Sequence, residues 1–199
     1  EPKELDRARV DMYERLGEAQ TARKKFDSAA AAYETARDLA KDPRGANHPA
    51  AAARIHSNLA KVFALKGDTQ AAIAELEKYL AYLPASVLPY ERYADLLRLA
   101  NRSRDILPAL QQYAVKNPKN TGLPWLIAAE HLRAGATVIR GVSIFETADA
   151  DSFRILVKAL LETKQYAVLL GYMDDLAKAA RGREADETRA VQVWRDSLL

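Results

Sequence analysis

Between Ala53 and Pro84 the apolar positions fall into two blocks of helical spacing with a glycine between them. Leu59, Ala60 and Phe63 share one face of a first helix, because residues three and four apart stack on the same side. Gly67-Asp68 closes that helix, since glycine tolerates the left-handed backbone that a helix C-terminus favours. The pattern then predicts a second helix from residue 69 to about residue 82, burying Ala72, Ile73, Leu76, Tyr79 and Leu80. Pro84 stops it, because its nitrogen has no hydrogen to give to the helical ladder. Ala60 and Ala72 are small, which lets the two antiparallel helices approach closely.

Thirty-four residues beyond Pro84, at Pro118, much of this pattern returns. Tyr90, Tyr93, Ala94, Leu97, Leu110, Tyr113 and Pro118 carry it, with Asn101 in place of the glycine. Asparagine can take that place because it too reaches positive φ. An earlier copy begins near Val10, with Tyr13, Leu16, Gly17, Phe26, Ala29, Tyr33, Ala36 and Pro43. A fixed period built from two amphipathic segments and a turn marks a stacked helical-repeat array. The link from the first copy to the second exceeds the period. It runs from Lys41 through Asn47, His48 and Pro49, and Pro49 suits the first turn of a helix that starts early and runs long.

Past Pro118 the pattern decays. Residues 125–133 read as a first helix closed by Gly135, and residues 136–147, rich in Val, Ile and Thr, fit a helix poorly. Phe153, Leu156, Leu160 and Leu161, then Tyr166, Leu169, Leu170 and Met173, restore two amphipathic helices. A last one is expected over residues 184–198.

These residues resemble the tetratricopeptide repeat, whose pattern is an aromatic, Leu-Gly/Ala, an aromatic, Gly-Asp, two alanines and a proline. His56 stands at the aromatic position of the second copy, a departure from that pattern. The resemblance implies an all-α fold, a right-handed α-solenoid of antiparallel helix pairs with about ten helices. Residues 1–118 would form three well-matched units, and residues 119–199 degenerate units with a C-terminal capping helix, all in one continuous domain. The Asn47-His48-Pro49 link is locally similar to the extended units of kinesin light chains, with no cargo carried over.

In this family the inner face of each first helix lines a concave groove. Matched residue by residue, Arg54, Asn58 and Lys61 line it in the second unit and Arg92, Asp95 and Arg98 in the third. Glu14 and Glu18 belong to the same wall in the first unit, where they would select a basic side chain. Trp125 sits one step past a core position, so core and groove both remain open to it. Chaperone-binding members clamp a C-terminal carboxylate here, but Glu14, Glu18 and Leu88 stand at three of the five clamp positions, and the glutamates would repel it.

Composition excludes more than it adds. Thirty basic and 27 acidic residues give a net charge of +3, interspersed rather than blocked, so a nucleic-acid reader is not expected. Arg181, Arg183, Arg189 and Arg195 form the one basic cluster, among Glu184, Asp186 and Glu187. Without cysteine there are no disulfides and no thiolate metal sites. No run approaches the roughly 20 apolar residues that cross a bilayer, and no secretory signal is present. The opening Glu1-Pro2 implies a processed chain or a piece of a longer one.

Catalysis needs titratable groups converging in a cleft. His48 lies in the link, and packing accounts for His56 and His131 on helices. Asp149 with Asp151 could suggest metal ligands, but the pattern favours a helix N-cap at Asp151 or Ser152. The expectation is a non-enzymatic scaffold with no cofactor and no small-molecule substrate, holding a protein or peptide partner along its groove. A helical-repeat nucleic-acid binder and an accessory domain of a larger enzyme are the alternatives.

Overall fold

The computed structural model describes residues 2–41, 49–136, 150–171 and 174. Every regular element among them is helical. The helices are α1 (Pro2–Ala22), α2 (Phe26–Lys41), α3 (Pro49–Lys66), α4 (Thr69–Leu80), α5 (Leu88–Leu99), α6 (Ser103–Lys116), α7 (Leu123–Arg133) and α8 (Ala150–Glu162). A ninth begins at residue 166. Residues 137–147, whose sequence fits a helix poorly, the helix expected over 184–198, the link residues 42–48, Met173 and the arginine cluster beyond residue 180 lie outside the described residues.

The chain divides into two compact units, Glu1–Ile106 and Leu107–Leu199. In the first, α1 packs on α2, α2 on α3, α3 on α4 and α4 on α5, so the hairpins stack in chain order as a helical solenoid. Val10, Ala29, Tyr33, Ala36, Ile55, Leu59 and Val62 form a continuous core through α1, α2 and α3. Tyr13, Phe26 and Phe63 pack at its margin, only partly buried.

Alanine and glycine set the helix spacing. The ring of Tyr33 lies against Gly17, where an added Cβ would stand 2.7 Å from Tyr33 Cζ. Burial raises the pKa of that Tyr33 hydroxyl, against a hydrogen bond with Thr21 that lowers it. Between α3 and α4, Ala60 and Ala72 are both buried as the pattern required.

The turns follow the expected chemistry with one exception. Helix α3 starts at Pro49 and is closed after Lys66 by Gly67 with φ of 87°, and Asp68 caps α4 by accepting a hydrogen bond from the Ala71 amide at 3.1 Å. Asn101 takes the left-handed conformation expected of it, at φ 58°. Helix α4 stops at Leu80 rather than near residue 82, because Leu83 already turns the chain with φ of 53°. Tyr79, expected in the core, is only partly buried.

The second unit holds α7 packed on α8. The Asn120 side chain accepts hydrogen bonds from the Gly122 and Leu123 amides at the start of α7, and Gly135 (φ 94°) follows its end. The buried face of α8 is Ile155, Leu156, Ala159 and Leu160, whereas Phe153 is half-buried and Leu161 exposed. Asp151 lies inside the first turn of α8, 3.9 Å from Arg154, not at the cap.

Candidate interaction groove

Helix α3 places Arg54, Asn58 and Lys61 along one face by three- and four-residue steps, while Ile55, Leu59 and Val62 point into the core. Two cavities open along that face. One, of about 310 Å³, lies among α3, α4 and α5. Ala60, Ala64, Leu65, Leu76 and Tyr79 give it apolar walls, and Lys61, Arg92 and Asp95 supply its charges. The other, of about 460 Å³, is bounded by Pro49, Ala53, Arg54, Asn58, Tyr82 and Pro84. Ser57 and Tyr79 line both, so the two form one groove.

The charged residues of the groove fall into two groups. Arg54 is engaged: its Nε and Nη2 donate to the two oxygens of Glu14 at 3.1 and 2.6 Å, with Asp11 at 3.9 Å. That hydrogen bond raises the pKa of Arg54, and Glu14 is only 6% exposed. Glu14 therefore bridges α1 to α3, and the expected role of selecting a basic side chain does not fit a carboxylate with both oxygens occupied. Glu18 is exposed. Asp95 is likewise engaged, accepting a hydrogen bond from Arg98 one turn on. Lys61 and Arg92 are different. Both are exposed, both line the smaller cavity, and neither has an ionic partner among the described residues.

Of the seven residues that sequence singled out, the structure brings Arg54, Asn58, Lys61, Arg92 and Asp95 onto one groove. Arg98 lines neither cavity and is bonded to Asp95. Trp125, on α7, belongs to the second unit and is half-buried there.

Behind the groove lies a polar contact that sequence reasoning missed. His56 Nδ1 stands 2.6 Å from Glu75 Oε2, and Lys78 Nζ donates to the other oxygen at 2.5 Å. A carboxylate only accepts, so Nδ1 carries the proton. Burial pushes Glu75 up, but the hydrogen bonds from His56 and Lys78 outweigh it and hold the carboxyl at about 2. Arg37 adds a charge from α2 at 3.9 Å. The imidazole also keeps part of the aromatic role of its position, with its ring 6.5 Å from that of Tyr82. Helical periodicity gave no sign of this pair, because its members lie 19 residues apart on different helices.

Among the described residues no cluster of His, Cys, Asp and Glu is arranged to hold a metal ion. No helix there is long and apolar enough to cross a membrane. Residues 8–85 match the family model described as tetratricopeptide repeat. No curated protein matches the chain.

Proposed function

We propose that this chain, whose residues 8–85 match the tetratricopeptide-repeat family model, is a non-enzymatic interaction module that holds a segment of a partner protein along the α3–α5 groove. Repeats of this family generally mediate protein–protein contacts. The observation that carries the reading is the groove itself: two joined cavities with apolar walls and cations at the edge, on the face where the repeats leave side chains unpacked. Asn58, which lines the larger cavity, suits a peptide backbone because its amide both donates and accepts.

Two exposed alanines test it. Ala64 lines the smaller cavity, and Ala74 is on α4 outside both. A photo-crosslinking residue at Ala64 of the full chain, irradiated in extract of the source cell, is expected to capture a discrete partner that the same residue at Ala74 does not. Asn58→Ala combined with Arg92→Ala should then weaken capture while far-UV circular dichroism stays unchanged. Capture from Ala74 alone, or capture indifferent to the double change, would move the interaction elsewhere.

A further inference from the structure

The charges of the smaller cavity bear on what it holds. Lys61 and Arg92 are exposed and carry no ionic partner among the described residues, whereas the lining carboxylate Asp95 is already bonded to Arg98. In the adjoining cavity Arg54 faces two carboxylates, Glu14 and Asp11, and offers no free cation. The smaller cavity thus presents two uncompensated positive charges from its lining residues, whereas the adjoining one has more carboxylates than cations. Beside them, Leu76 and Tyr79 form an apolar floor and Leu65, 53% exposed, an apolar rim. A volume of about 310 Å³ is at the small end for ligand pockets, the scale of one large side chain rather than a cofactor.

Resting on the reading of this groove as the interaction surface, we propose that its occupant is an acidic segment of a partner protein in which Asp or Glu lies within two residues of a bulky apolar residue. The apolar side chain seats on Leu76 and Tyr79, and the carboxylate is held by Lys61 and Arg92. Burial of the apolar group supplies most of the affinity. The charges set the choice: a basic residue here meets like charge, and a neutral amide forgoes both charge-assisted hydrogen bonds. Because the two cations are exposed, their contribution is screened by salt.

The test is selection of a phage-displayed random dodecapeptide library on the immobilised full chain, followed by fluorescence anisotropy with the enriched peptides. The expected consensus pairs Asp or Glu with Leu, Phe, Met or Trp and is depleted in Lys and Arg. Replacing its acid by the corresponding amide should weaken binding about tenfold or more, the scale of one charge-assisted hydrogen bond. Lys61→Glu with Arg92→Glu should abolish that binding, keep the helical content, and on reselection enrich basic–apolar peptides instead. A neutral or basic consensus on the native chain that is lost with Ala64→Trp leaves the groove reading standing and overturns the acidic occupant. Peptides indifferent to both changes, or no enrichment at all, overturn both. Self-association that the double charge reversal abolishes would assign the groove to a second copy of the chain, and also overturns the proposal.

Discussion

Single side chains set the distances in this fold, and two of them make its sharpest demands. At Gly17 any Cβ meets the buried ring of Tyr33, which is 3% exposed and cannot swing aside freely. Gly17→Ala is helix-favourable by about 1 kcal/mol, but overpacking costs about 1–3 kcal/mol, so a net loss is expected. A lowered midpoint in thermal unfolding checks it; a raised one would mean that α1 and α2 are not this close. Leu83 poses the opposite case. Its φ of 53° is one that leucine adopts only at a cost of about 1–2 kcal/mol, and its side chain is 39% exposed. Leu83→Asn should therefore raise the midpoint, by less than that cost. Neither demand is equally legible in sequence: Gly17 stands inside the Leu-Gly motif, whereas nothing about Leu83 before a proline announces positive φ.

At the scale of elements, α3 and α4 are held together by packing and by the His56–Glu75 contact. The Glu75 carboxyl is depressed to about 2 from an ordinary 4.5, so it binds a proton more readily when the chain is unfolded. Its stabilising effect is full above the ordinary value and disappears as pH falls from there through about 2. The difference at neutral pH is on the order of 3 kcal/mol. Glu75→Gln should lower stability at pH 7 and flatten its fall between about pH 5 and 2, as read from urea unfolding at each pH. Parallel pH curves for the two proteins would argue against a charged Glu75 in the fold. Helix boundaries were mostly readable, since Pro49, Gly67 and Asn101 act through their own backbone chemistry. The pairs that tie helices to one another were not. His56 with Glu75 and Glu14 with Arg54 are 19 and 40 residues apart, and local periodicity carries no record of such distances.

For the molecule as a whole, the groove was legible as a face but not as a shape. The family pattern located Asn58, Lys61 and Arg92 on it, yet which cations remain uncompensated depends on partners drawn from other helices. Arg54 illustrates the difference. Arg54→Ala strips the buried Glu14 of its bidentate partner and is expected to cost about 1–3 kcal/mol of stability. Denaturant midpoints check it: Glu14→Gln with Arg54→Met, which leaves no buried carboxylate unpaired, should be milder than Arg54→Ala alone. Lost binding in Arg54→Ala would therefore report on folding as much as on contact, which is why the groove is better probed through Lys61 and Arg92.

That Glu14–Arg54 contact also fixes the order of the repeats. Repeats of one family look interchangeable, but the position equivalent to Glu14 in the second unit is Ser57, and the position equivalent to Arg54 in the third is Leu88. Transplanting the first unit directly before the third would set a buried carboxylate against leucine, with no cation to meet it. Placing the second unit after a copy of itself would leave Arg54 facing serine. The junction between the first two units thus works as a key cut for one lock. Shuffled versions of this array should fail first at that seam, before any helix does.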